Sequence, residues 1–217
     1  MTSYDQASLD AGEVLVHSRS YDIGSYRIDA QTLRVVGRIQ DQKPPGLFVP
    51  GDSEPLTVHD MTVNLTLSFP AMEILSIDVT FDDHPHSTCP GIAVAYQKLV
   101  GQSISAGFTR FVTSTFGRQH GCTHVVALLK AMAPVAIQSI YSMRQLPHEE
   151  DRSVGDRDWT DEEKAISYAF TLNSCHVWDE DGDHAKASLA GTRTEAPVWI
   201  VKRLTKLDRM DEVANWS

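Results

Sequence analysis

The sequence predicts an α+β fold, in which an antiparallel sheet from the N-terminal half packs against helices from the C-terminal half. Apolar and polar side chains alternate over residues 61–69, which is the pattern of a strand with one face on a core. Pro70 interrupts this run and the alternation resumes over 75–81, so the two runs predict an antiparallel pair. Beyond residue 88 the apolar residues recur at helical spacing instead. Strands followed by helices are typical of α+β rather than alternating α/β proteins.

The rest of the N-terminal half follows the same patterns. Residues 1–12 are polar and patternless, which predicts a ragged terminus. Leu33, Val35 and Ile39 lie on one face of a half-buried strand predicted over residues 33–41. Residues 43–55 are too rich in proline and glycine to form anything but a loop.

The C-terminal half is predicted to be mainly helical. One helix begins at Cys89, where Pro90 occupies the first helical position, and ends near Gly101. A longer helix begins at Cys122 and is kinked by Pro134. The other predictions are a helical run over 104–117, a loop or lid over 147–158, a helix over 161–173 that starts with a capping box of Thr160 and Glu163, and a last strand over 198–201. No internal repeat is visible, so residues 13–217 are predicted to form a single domain.

Composition narrows the class of protein. The chain has 217 residues and a formal net charge of −10, which disfavours a nucleic-acid partner because phosphate binding needs a basic face. The sequence opens without a secretory leader, and no apolar run is long enough to predict a membrane span. Three widely spaced cysteines do not make a disulfide framework. We therefore expect a soluble cytoplasmic protein whose partner is a small molecule or another protein.

Two cysteines lie where chemistry would favour a thiolate. Cys89 and Cys122 each stand at the predicted start of a helix, where free N–H groups and the helix dipole stabilise negative charge. A thiolate is the form that binds metal or attacks an electrophile. The alternative is a pair of buried structural thiols, since free cysteine is among the residues most often buried.

Histidines add to this set. His124 stands two residues after Cys122, and Cys175-His176 follows the predicted helix over 161–173. The alternation of the strand places His59 on the core-facing side, where a histidine must be hydrogen-bonded or bound to a ligand. The alternative for His59 is a core histidine bonded to the backbone. Asp60 should point to the opposite face unless a bulge intervenes.

Cysteine and histidine together suit zinc or iron, and three thiolates with one imidazole form a known closed ligand set. The cysteines are separated by 33 and 53 residues, which is not a zinc-finger spacing, so the fold would have to assemble the site. Other chemistries find less support. Gly101-Gln102-Ser103-Ile104-Ser105 lacks the last glycine of a nucleophile elbow, and no phosphate-binding glycine motif occurs.

The sequence resembles a bacterial domain family of unknown function over about residues 13–178. In that family an H-D-M strand is followed by a lone cysteine and then by a G-C-T-H helix start. The matching residues here are Tyr21, Ile28-Asp29, Gly37-Arg38-Ile39-Gln40-Asp41-Gln42-Lys43-Pro44, His59-Asp60-Met61, Cys89, Gly107-Phe108 and Gly121-Cys122-Thr123-His124. The family brings no established activity with it.

The order of the cysteines is also similar to that of the NifU/SufE-type fold, whose members assemble iron–sulfur clusters or relay sulfur. This resemblance implies Cys89, Cys122 and Cys175 as ligands of zinc or iron, with His176 beside the third. The sequence departs from the scaffolds in several respects. Pro90-Gly91 stands where their aspartate follows the first cysteine, the Cys-His order is reversed, both spacings are longer, and His59-Asp60-Met61 belongs only to the family of unknown function.

Three functional hypotheses follow. The first is an enzyme whose pocket is built from Cys89, Cys122, His124, Cys175 and His59, with Cys122, His124 and His59 as the catalytic residues. It would use a bound metal or a thiolate nucleophile, with His124 or His176 as general base. The second is a scaffold or carrier that passes a metal or an iron–sulfur cluster to a partner protein. The third is an interaction module whose cysteines are structural.

Overall fold

The computed structural model describes residues 12–146, 160, 165, 168–192 and 195–216. The chain divides into two compact units, Met1–Arg157 and Asp158–Ser217, and each is described by itself. The single domain that the sequence predicts over 13–217 stays a prediction. The predicted loop or lid over 147–158 lies outside the described residues, and so do residues 161–164, which would begin the predicted helix over 161–173.

The first unit is built on one four-stranded sheet. All neighbouring strands are antiparallel and the spatial order follows the sequence, so the sheet is a simple meander. Its strands are β1 (Ser18–Asp29), β2 (Thr32–Lys43), β3 (Leu56–Ser68) and β4 (Ile74–Asp83). The predicted α+β fold and the predicted antiparallel pair, β3 with β4, are confirmed.

Helical elements follow the sheet in the first unit. They are a 3-10 helix (Cys89–Leu99), α1 (Phe108–Phe116), a 3-10 turn (Arg118–His120) and α2 (Thr123–Gln145). The helix predicted from Cys89 is present as a 3-10 helix, in which i→i+3 bonds at both ends give the tighter form, as from Val100 N–H to the Gln97 carbonyl. The Gln97 side chain donates to the Ile77 carbonyl at 2.8 Å and so ties this segment to β4.

The core of the first unit lies between the sheet and α2. Helix α2 packs across β1, β2 and β3 with one apolar face. Gly37 in β2 permits this approach, since a Cβ there would lie 2.7 Å from the Met132 sulfur. By length and composition α2 would also pass as a membrane-crossing helix, but a helix packed in a protein core passes the same test, so this is weak evidence.

The second unit is helical where it is described. It contains helical residues at 168–171, a 3-10 turn (His176–Trp178), α3 (Asp183–Leu189), α4 (Val198–Lys206) and a 3-10 helix (Met210–Trp216). The strand predicted over 198–201 is wrong, because these residues open α4. Ile200 and Leu204, one turn apart, are the buried residues of that helix.

Candidate functional site

A buried carboxylate lies at the centre of the site. Asp41 follows Leu33, Val35 and Ile39 on the helix-facing side of β2 and is only 1% exposed. Its direct cross-strand partner in β3 is His59, so the two side chains emerge side by side on the same face. The predicted core-facing position of His59 is confirmed.

Arg19 of β1 neutralises and orients this carboxylate. Its Nε and Nη2 groups donate to the two oxygens of Asp41 at 2.6 and 2.8 Å, a bidentate arrangement that fixes the carboxylate plane. His17 lies further away, with Nε2 3.8 Å from Oδ1. Burial alone would raise the pKa of Asp41, but the hydrogen bonds and charge of Arg19 outweigh it and hold that pKa below its ordinary value.

Two histidines converge on one oxygen of Asp41. His59 Nδ1 lies 3.2 Å and His124 Nε2 3.1 Å from Oδ2. The two imidazole rings are stacked, with centroids 3.8 Å apart. Burial, then the neighbouring His59 and Arg19, lower the pKa of His124 against the opposing charge of Asp41. His124 is therefore favoured in its neutral form, which is the form that binds a metal.

The buried Nδ1 of His59 has no hydrogen-bond partner. Its 3.2 Å contact with Asp41 meets the distance of an ion pair, but the carboxylate does not lie in the direction that a ring N–H needs. A buried polar nitrogen left unpaired costs free energy, so it is expected where a ligand completes its environment.

Asp41, His59 and His124 could hold a metal ion. One ligand atom from each lies within 4.8 Å of the other two. A metal with bonds of about 2.1 Å holds neighbouring ligands about 3.0 Å apart in octahedral and about 3.4 Å apart in tetrahedral geometry. The observed separations of 3.1 and 3.2 Å between the nitrogens and Oδ2 fall between these values.

The segment Gly121-Cys122-Thr123-His124 positions the His124 side chain in this site. Cys122 is the N-cap of α2, as predicted, and its backbone N–H donates to the Tyr96 hydroxyl at 2.8 Å. Burial raises the pKa of Tyr96 to about 12, so its phenol stays protonated. The Cys122 sulfur lies 3.7 Å from Nδ1 of His124, the ring nitrogen that faces away from Asp41.

Tyr96→Phe is expected to lower the free energy of unfolding by about 1–2 kcal/mol, because the Cys122 amide loses its acceptor in a part-buried position. The ring itself remains packed, with its centroid 4.9 Å from that of Phe116. Urea unfolding of both proteins measures the difference. An unchanged free energy would mean that another acceptor, such as water, replaces the phenol.

A cleft of about 370 Å³ opens beside the site. His59 and His124 contribute to its wall, together with both cysteines of the first unit. The full lining is His59, Met61, Thr88, Cys89, Ile92, Gly121, Cys122, Thr123 and His124. This volume suits a small molecule.

The structure thus brings four of the predicted site residues into one cleft: Cys89, Cys122, His59 and His124. Cys175 and His176 lie exposed in the second unit, so the predicted ligand set of Cys89, Cys122, Cys175 and His176 stays a prediction. Sequence reasoning missed Asp41 as a site residue. The signal was available, since the alternation that places Ile39 on the core face also places Asp41 there.

Asp60 points away from the cleft, as its position beside His59 predicts. It is 2% exposed and binds Arg38 and Gln40 on the opposite face of the sheet, with Arg38 Nε 2.7 Å from Oδ1. The side-chain hydrogen bond of Arg38 lowers the pKa of Asp60. The two adjacent residues therefore serve different faces of the sheet.

The comparison with known protein families confirms the predicted resemblance to a domain family of unknown function. The family described as "Protein of unknown function (DUF2889)" matches residues 17–138, which include Arg19, Asp41, His59 and His124. No curated protein and no solved structure matches the chain, and the likeness to the NifU/SufE-type fold finds no support among these comparisons. The matched segment covers more than half of the chain and contains the whole sheet and the cleft. The chain therefore belongs to the DUF2889 family of proteins of unknown function.

Proposed function

We propose that Asp41, His59 and His124 bind a divalent transition-metal ion, zinc or iron, for chemistry on a small molecule in the adjoining cleft. The observation that carries this proposal is the convergence of three ligand atoms within 4.8 Å, one of which is a buried nitrogen without a hydrogen-bond partner. Two imidazoles and one carboxylate suit zinc or iron(II) and leave coordination positions open. When bound, such an ion supplies Lewis acidity.

The surroundings of the three ligands support their role. Arg19 holds the Asp41 carboxylate in a fixed plane, and the low pKa of His124 keeps its lone pair available. The Cys122 sulfur lies beside Nδ1 of His124 and can accept a hydrogen bond from its N–H, which fixes the ring with Nε2 directed at the metal position. The small molecule would then enter the cleft beside Cys89 and Met61.

A second candidate function uses the thiol instead of a metal. The Cys122 sulfur lies 3.7 Å from Nδ1 of His124, and Nε2 of the same ring lies 3.1 Å from Asp41. In this arrangement His124 takes the proton of Cys122 at Nδ1, while Asp41 holds the proton at Nε2. The two candidates require opposite states of Nε2, which is unprotonated in the first and protonated in the second.

Metal content measured on protein purified without oxygen tests the first candidate. We expect close to one zinc or iron per chain in the wild type and a large loss in His59→Ala. His120→Ala is the matched control, because His120 is exposed and outside the cleft lining. Retention of the metal in His59→Ala, or no metal uptake by the wild-type protein after dialysis against zinc, would contradict the proposed ligands.

The same samples separate the alternatives. Iron with labile sulfide would favour the scaffold or carrier. Rapid alkylation of Cys122 in metal-free protein, slowed by His124→Ala, would favour the thiol nucleophile. All three cysteines are free thiols, in keeping with our further proposal that the protein works in the cytoplasm.

A further inference from the structure

The three proposed ligands would leave most of the charge of a metal ion unbalanced. Asp41 is the one anionic group among them, and Arg19 already neutralises it through two hydrogen bonds of 2.6 and 2.8 Å. His59 and His124 would bind the metal as neutral imidazoles. With the Arg19–Asp41 pair counted as neutral, a divalent ion in this position would keep a net charge of about +2.

The wall of the cleft does not supply the missing negative charge. Among the described residues that line it, none is an aspartate, a glutamate, a lysine or an arginine. Helix α2 adds positive potential, because its first turn, which begins at Thr123 in the cleft wall, has neither an acidic residue nor a side-chain cap. Met61 and Ile92 make another part of the wall apolar. The cleft therefore combines a positive potential with an apolar surface.

We propose that the cleft binds a small organic anion, with its carboxylate or phosphate oxygens at the open positions of the metal and its carbon chain against Met61 and Ile92. Because the anion would bind the metal, the proposal rests on the function proposed above. A cleft of about 370 Å³ has room for such a molecule. A neutral molecule of the same shape would leave the positive charge unbalanced, so the charge of the site selects the anion.

Butyrate and butyramide, which have nearly the same shape and differ in charge, test this preference by calorimetric titration of the zinc-saturated full chain. We expect butyrate to bind about ten-fold more tightly than butyramide, and the preference to fall below about three-fold in the metal-free protein. Propyl phosphate is the second anionic probe, and the anion that binds more tightly identifies the charged group that the cleft accepts. Equal affinities for butyramide and both anions would overturn the proposal.

Two substitutions at Arg19 separate the charge of the site from its shape. At saturating zinc, Arg19→Gln should bind butyrate about ten-fold more weakly than the wild type, because the Asp41 charge is then free to offset that of the metal. Arg19→Lys keeps the cation and should stay within about three-fold of the wild type. Equal losses in the two variants would mean that Arg19 acts only through structure, which would contradict the charge balance on which the proposal depends.

The carbon chain of the anion has its own control. Butyrate should bind about ten-fold more tightly than acetate, because two further methylene groups leave water. Ile92→Ala should reduce this advantage to about three-fold, whereas Val94→Ala, at a position that is 74% exposed on the same 3-10 helix and outside the cleft lining, should leave it unchanged.

A zinc titration made before these measurements distinguishes the failure of this proposal from the failure of the metal site. A wild-type protein that takes up no zinc would overturn the metal site, and the anion site with it. A protein that takes up zinc but binds butyrate, propyl phosphate and butyramide equally would overturn the anion site alone.

Discussion

Asp41→Asn should lower the free energy of unfolding by about 2–3 kcal/mol and weaken zinc binding by about 100-fold or more. Asparagine keeps the shape of the side chain but removes the charge that Arg19 binds with both nitrogens. It also places an amide where His59 and His124 now meet an anionic oxygen. The loss is smaller than for a fully buried ion pair, because the Arg19 side chain is 35% exposed and can turn to water.

Asp60→Asn is the matched control for this prediction. Asp60 is an equally buried aspartate that also forms a bidentate pair with an arginine, Arg38, but it serves the opposite face of the sheet. We expect Asp60→Asn to lower stability in the same way and to leave zinc affinity unchanged. Urea unfolding of the metal-free proteins and calorimetric titration with zinc measure the two quantities separately. Equal losses of affinity in both variants would mean that zinc binding reports only the stability of the sheet.

The sheet was predictable because its strands carry a local signal. In β3 the apolar residues from Met61 to Leu67 alternate strictly with polar ones, and β4 repeats the pattern, so one buried face is visible in the sequence alone. The start of α2 was predictable for a similar reason, since Gly121-Cys122-Thr123 opens a long run of helical spacing. The spacing of the apolar residues in such a run shows which face of the strand or helix is buried, and it does so without any knowledge of the fold.

The site was only partly predictable, because its centre is a charge that looks like part of the surface. An aspartate at the end of a strand ordinarily faces water, and nothing local in the sequence shows that Arg19 lies across from Asp41. That pairing depends on strand register, which places Arg19 opposite Asp41 and Asp41 opposite His59. Leu33, Val35 and Ile39 occupy alternate positions on the core-facing side of β2, and Asp41 continues the same alternation. This alternation was the feature of the sequence from which the buried position of Asp41 could have been predicted.

The errors in the C-terminal half have a different cause. Val198 to Val201 is a short apolar run, which cannot be distinguished from a strand by periodicity alone. In the structure Ile200 and Leu204 form the buried stripe of α4. At Cys89 the helix start was placed correctly, and its 3-10 type was not predictable, because i→i+3 and i→i+4 bonding differ little in the sequence patterns they favour.

Gly121→Ala is expected to lower the free energy of unfolding by about 3 kcal/mol and to weaken zinc binding. Gly121 has extended backbone angles that any residue adopts, so the effect comes from space alone. A Cβ at this position would lie 2.4 Å from the Phe116 carbonyl oxygen and 3.1 Å from the Tyr96 hydroxyl. A backbone carbonyl at the end of α1 cannot move aside as a flexible side chain can. The segment from Gly121 to His124 must shift instead, and His124 shifts with it.

Gly91→Ala provides the comparison, since a Cβ there meets no atom within 4 Å. That variant should unfold within about 0.5 kcal/mol of the wild type, and its zinc affinity should be unchanged. If Gly121→Ala lost stability but bound zinc as tightly as the wild type, the position of His124 would not depend on this segment. That result would contradict the assignment of His124 as a zinc ligand. If both properties decline together, the close packing of Gly121 against Phe116 is what delivers the histidine to Asp41, which explains why glycine occupies the position before the helix start.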